Sequence, residues 1–172
     1  DDATQLIADT GIAAVDIILD SHYDGSTVSG QFTEWSDLTA FRGKALEGQR
    51  SDSDVFRFVP DLPAPGLYRV SAFWPGDDGS NPEAQIRVNA ASTYQSISVD
   101  QGHNGGTWQE LGVFDFAADG NEFVDFTAAD SATFVVDAVR FQSVSDPQTA
   151  PLELIAKTLP GAELGQAYST AL

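Results

Sequence analysis

Short runs of alternating apolar and polar residues recur along the whole chain. In EAQIRV (83–88), Ala84, Ile86 and Val88 face one way and Glu83, Gln85 and Arg87 the other. That is the pattern of a strand in a sheet with one wet face. LYRVSAFW (67–74) places Tyr68, Val70, Ala72 and Trp74 on one face, which marks a core. Similar runs predict strands over 14–20, 31–35, 41–46, 54–60, 93–100, 110–116, 122–126 and 133–141. Turn signals separate them: YDGS, PAPG, PGDDGSNP, GHNGG and ADGN. ELGVFDF (110–116) is apolar on both faces, so it is covered on both sides or bulged at Gly112. No segment carries a long helical period; the one short candidate, TQLIADTGIAAVDI, is interrupted by Gly11. Many short strands at this spacing specify an antiparallel sandwich or barrel.

One strand breaks the rule of its own pattern. In TFVVDAVRF (133–141), Val135, Val139 and Phe141 share a face by alternation, and Asp137 falls on that face with them. An unpaired carboxylate among core residues is costly, so Asp137 must meet either a cation or hydrogen-bond donors. After this strand, SVSDPQTAP (143–151) has the composition of a linker. Residues 152–172 then form a tail too short to build its own core. The tail packs on the main domain, pairs with a neighbour, or opens a following domain.

Charge narrows the partners. The 172 residues include 8 Lys+Arg against 26 Asp+Glu, for a net charge of −18 and a pI near 4.1. Such a surface repels nucleic-acid phosphates and anionic membranes. It suits high solubility, salt, or divalent cations. There is no cysteine, which rules out disulfides, thiol catalysis and thiolate metal sites. No apolar run is long enough to span a membrane. The chain begins DDATQ, without Met or a signal peptide, and so reads as a mature form or a piece of a longer protein.

Three segments then occur in order: PDLPAPGLYRV (60–70), VDQGHNGGTWQELG (99–112) and VVDAVRF (135–141). Together they resemble the golvesin and xanthan-lyase carbohydrate-binding-like domain over about residues 15–142. IILD (17–20) and GQFTEW (30–35) are similar to its opening elements, although Ser21 stands where the family tends to have Asn. The resemblance implies a jelly-roll-like antiparallel β-sandwich of the kind appended to secreted bacterial polysaccharide lyases and peptidases. It brings no ligand residues with it. TLPGAELGQAYSTAL (158–172) separately resembles the first strands of an immunoglobulin-like repeat of bacterial surface proteins. The expected organisation is therefore a β-sandwich over 1–145 and a linker with the start of a repeat over 146–172.

The resemblance extends to Asp137. Several jelly-roll carbohydrate-binding modules close on a strand with Asp followed by Val or Ile and Phe at i+2 and i+4. In those modules the Asp helps to hold a structural calcium with acids of the first strand. Here Asp20 is the expected partner, ahead of Asp16. The competing expectation is that Asp137 accepts backbone N–H groups or an Arg. The acidic loop GDDGSN is too short for an EF-hand and lacks its closing Glu, so it reads as a solvated turn.

Catalysis has little support. The two histidines, His22 and His103, lie in turn-like stretches, and no nucleophile motif accompanies them. Sugar binding would need exposed aromatic platforms and planar polar groups. Trp74 lies on a core face, and Trp108 reads as packing. Tyr94 shares its strand face with Ser96 and Ser98 and should be exposed. A platform of Tyr94 and His103, joined by Trp35 or Tyr23, is the candidate glycan site. Arg42 and Lys44 share a face of the 41–46 run, with Arg50 after them, and intramolecular ion pairing is their expected fate. GHNGG lacks the Lys and following helix of a phosphate loop and reads as a turn with positive φ.

The expected function is a non-catalytic accessory module of an exported bacterial protein, extracellular or on the cell surface. It would bind polysaccharide or a cell-surface glycan and adjoin other domains of its own polypeptide. The alternatives are a structural spacer that self-associates through its tail, and a part of a secreted polysaccharide-degrading enzyme or peptidase whose catalytic domain lies elsewhere.

Overall fold

A computed structural model describes residues 14–22, 26–48, 53–76, 84–128 and 133–144. Twelve strands are present among them. They are β1 (Asp16–Asp20), β2 (Ser26–Ser29), β3 (Phe32–Ser36), β4 (Lys44–Gly48), β5 (Val55–Phe58), β6 (Gly66–Phe73), β7 (Ala84–Asn89), β8 (Tyr94–Val99), β9 (Gln109–Phe116), β10 (Phe123–Ala128), β11 (Phe134–Val136) and β12 (Ala138–Ser143). All pair antiparallel. One sheet has the order β1-β12-β6-β9, a second β2-β5-β10-β7-β8, and a small third β11-β4-β3.

The two large sheets face each other across one core. β6 contributes Tyr68, Val70 and Ala72, and β12 contributes Val139 and Phe141. From the other sheet come Phe56, Phe58, Ile86, Val88, Val124 and Phe126. Phe32 of β3 meets both Phe56 and Phe134 edge-on, so the small sheet shares this core. The alternation read in EAQIRV and LYRVSAFW is the one observed: Ala84, Ile86 and Val88 are fully enclosed, and Trp74 is buried. The register of β6 against β9 slips opposite Gly112, whose φ is 143°, so the two-faced apolar strand is bulged.

Three sequence expectations are corrected. The run 133–141 is two strands: β11 pairs with β4, and β12 pairs with β1 and β6, with Asp137 at the switch between sheets. Alternation slips there. Phe134 and Val136 join Val139 and Phe141 in the main core, while Val135 packs with Ala40, Ala45 and Trp35. The run 41–46 opens as a 3-10 turn (Phe41–Gly43) with Arg42 at φ 56°, so Arg42 and Lys44 do not share a strand face. β2 was not anticipated, because STVS offers a single apolar residue. The helix candidate around Gly11 begins in residues outside those described and ends in β1. The tail 146–172 also lies outside the described residues.

Candidate functional site

The outer face of the five-stranded sheet is built from the residues that alternate away from the core. Strand register arranges them in rows. One row runs Phe123, Asn89, Tyr94 across β10, β7 and β8. The next runs Thr27, Arg57, Asp125, Arg87, Ser96 across all five strands. A third runs Ser29, Val55, Thr127, Gln85, Ser98. The face is thus paved with planar polar groups and aromatic rings. Tyr94 stands out of it with 60% of its surface exposed.

Side-chain contacts hold the rows in place. Arg57 donates to both carboxylate oxygens of Asp125, at 2.7 and 2.8 Å. Its guanidinium lies 3.4 Å from the centre of the Phe123 ring. The hydrogen bond from Arg57 to Asp125 holds the Arg57 pKa above its ordinary value, against partial burial. Ser96 donates to Gln85 at 2.7 Å. A shallow groove of about 320 Å³, lined by Thr27, Val28, Ser29, Val55 and Arg57, continues the face to the β2 edge. Arg57 links the groove to the aromatic row.

Three of the four expected platform residues, Tyr94, His103 and Trp35, are described, and they lie on different parts of the fold. Tyr94 opens β8 and His103 follows its far end, so the strand separates them by about 17 Å. His103 is exposed, with Nδ1 2.8 Å from Asp100 Oδ2, and its carbonyl accepts Trp74 Nε1–H at 3.1 Å. Trp35 sits on β3 in the small sheet, packed against Ala40, Ala45 and Val135 with Nε1 enclosed. Tyr23 lies outside the described residues. Arg57, Phe123 and Asn89 were missed as site residues. The alternation around each would have placed them beside Tyr94 had the strand pairing been known.

The second feature is a pair of enclosed carboxylates. Asp20 ends β1, Asp137 precedes β12, and both have 0% exposure. The β1–β12 register brings them side by side, since Asp20 pairs with Ala138. Phe41 N–H donates to Asp137 Oδ2 at 2.8 Å and His22 N–H to Asp20 Oδ1 at 2.9 Å. Arg42 reaches to 4.0 Å from Asp20 Oδ2. Asp137 Oδ1 is buried without a hydrogen-bond partner among the described residues. Burial pushes the Asp137 pKa up to about 8; the Phe41 N–H opposes this, and repulsion from Asp20 and Asp37 adds to it. Asp16 points elsewhere, into a two-bonded pair with Arg140.

A hard cation fits this pair in part. Two adjacent carboxylates, one with an orphaned oxygen, are the donors calcium takes. Among the described residues no group of three or more His, Cys, Asp or Glu is placed to hold an ion, although His22 Nδ1 lies 3.8 Å from Asp20 Oδ1, so carbonyls or water would complete the shell.

Comparison with known proteins decides the family. The profile of the golvesin C-terminal domain matches residues 17–143. The chain belongs to this family. A xanthan lyase of Bacillus sp. (strain GL1) is 33% identical over 91 residues, covering 51% of this chain and 10% of the lyase. The solved xanthan lyase of Paenibacillus superposes with a TM-score of 0.70 at 23% identity, over 75% of this chain and 13% of that one. A family 35 carbohydrate-binding module of Clostridium thermocellum superposes with a TM-score of 0.52 at 17% identity, over 74% of this chain and 98% of the module. The golvesin-family chain therefore has the jelly-roll-like sandwich of carbohydrate-binding modules, and it spans about a tenth of the curated lyase it matches.

Proposed function

We propose that this domain is a non-catalytic carbohydrate-binding module of an exported multidomain protein, working outside the cell. The glycan lies across the outer face of the five-stranded sheet. The observation that carries this reading is the exposed Tyr94 ring in one row with Asn89 and the Arg57-capped Phe123. Sugars present apolar ring faces to aromatics and hydroxyls to planar polar groups, and this face offers both. Family membership and likeness to a binding module support it. The test is affinity electrophoresis of the domain against a panel of polysaccharides. Tyr94→Ala should weaken retardation by about tenfold, the scale of one lost stacking contact. His103→Ala should leave it unchanged. Retained binding in Tyr94→Ala would move the site off this face.

Asp20 and Asp137 would hold a structural calcium, which would neutralise the pair where β1 meets β12. The orphaned Asp137 Oδ1 supports this role. It concerns stability; the glycan face is on the other large sheet.

A further inference from the structure

The five-stranded sheet is electrostatically unlike the rest of the chain. Its strands hold three charged residues, Arg57, Arg87 and Asp125, for a net charge of +1 in a protein of net −18. The other two sheets hold an excess of acids in their strands. Asp16, Asp20, Glu110 and Asp115 face Arg69 and Arg140 in one, and Glu34 and Glu47 face Lys44 in the other. Of the six described basic residues, five have a carboxylate partner: Arg42, Lys44, Arg57, Arg69 and Arg140. Arg87 is the sixth. It forms no ion pair or hydrogen bond among the described residues, although Asp125 is its cross-strand neighbour. The Asp125 carboxylate is occupied from the opposite side by both arms of Arg57.

In a chain with 26 acids, a face whose described strands carry no acid but the engaged Asp125, and whose Arg87 guanidinium has no partner among the described residues, is complementary to an anion. The fork of a guanidinium matches the two oxygens of a carboxylate. We propose that Arg87 binds the carboxylate of an acidic polysaccharide, so that the glycan taken by this face carries uronic acids. This rests on the reading of the outer face as the glycan surface. Tyr94 then stacks on a sugar ring one row from Arg87, and Gln85 and Ser96 flank the carboxylate.

The test measures dissociation constants of the whole chain for polygalacturonate, alginate and xanthan, each beside its carboxyl-reduced form, with dextran sulfate as a second polyanion. The variants are Arg87→Gln, Arg87→Lys and Tyr94→Ala, each checked for an unchanged melting curve. The expected result is a preference of about tenfold or more for at least one acidic polymer over its reduced form. Arg87→Gln should abolish that preference, Arg87→Lys should restore only part of it, and Tyr94→Ala should weaken both forms. Equal binding of acidic and reduced polymers, unaffected by Arg87→Gln, would overturn the inference and leave the glycan reading standing. Dextran sulfate bound as tightly as the best uronate would also overturn it, since recognition would then be of charge alone. Failure of every polymer, neutral ones included, would sink the glycan reading and the inference with it.

Discussion

The side-chain amide of Gln101 pairs with the backbone of Val135 as a neighbouring strand would. Its Nε2–H donates to the Val135 carbonyl at 2.7 Å, and its Oε1 accepts the Val135 N–H at 2.8 Å. β11 is the edge of the small sheet, with β4 on its other side. A single buried amide thus completes the pairing of an edge strand that leads straight into Asp137.

Gln101→Ala should therefore leave two buried backbone groups without partners. The cost is about 2–4 kcal/mol, which lowers Tm by roughly 5–15 °C. A circular dichroism melt reads it. An unshifted curve would mean that water or a local shift satisfies Val135.

The loop that carries Gln101 also depends on two glycines for different reasons. A Cβ on Gly105 would sit 1.9 Å from the Pro75 carbonyl oxygen, so backbone would have to move. Gly106 has room but a φ of 73°, which costs an L residue about 1–2 kcal/mol. Gly105→Ala should destabilise more than Gly106→Ala, by about 1 kcal/mol or more. It should also loosen the Trp74 Nε1–His103 bond, seen as a change in tryptophan emission. Equal melting temperatures for the two variants would refute the close contact with Pro75.

On the proposed glycan face, Asp125 is 4% exposed and depends on Arg57. Asp125→Ala should cost about 1–3 kcal/mol, discounted because the Arg57 side chain is partly in water. It should also release Arg57 from its position over Phe123. Denaturant titration measures the first effect. A crystal structure of the variant shows the second, with Arg57 unmoved as the contrary outcome.

Much of this was legible from alternation alone. Tyr68, Val70, Ala72, Trp74, Ala84, Ile86 and Val88 could be placed in the core because period-two patterning is local, and each was found there. Tyr94 was legible for the same reason. What surrounds Tyr94 was not, because Phe123 and Arg57, 29 and 37 residues away in sequence, are brought to its face only by the long-range pairings of β10 with β7 and with β5. His103 looked close to Tyr94 in sequence, yet an extended strand between them guarantees distance. Asp137 was conspicuous as a charge among apolar residues. That it marks a change of sheet was hidden, since residues on both sides of the slip are equally apolar. Gln101 gave no signal, because a polar residue in a turn is ordinary until its partner strand is known.

Asp137 offers the sharpest test of what sits between the first and last strands. Its pKa is pushed from 3.8 up to about 8 in the folded chain. Between those values the folded state binds more protons than the unfolded state, so stability falls as pH rises through this window. The contribution is intact below about pH 4 and lost above about pH 8, with a size on the order of a few kcal/mol. Self-repulsion of the whole acidic chain also grows with pH, so the comparison must be with Asp137→Asn. In EGTA the variant should melt above the wild type at pH 8, and the gap should close towards pH 5. Calcium at pH 8 should raise the wild-type Tm and leave Asp137→Asn unmoved, because the ion requires the carboxylate. A wild-type melting curve indifferent to calcium would remove the metal and leave Asp137 as a protonated carboxyl beside Asp20. A gap that persists unchanged at pH 5 would instead show that the variant acts through packing, with titration playing no part.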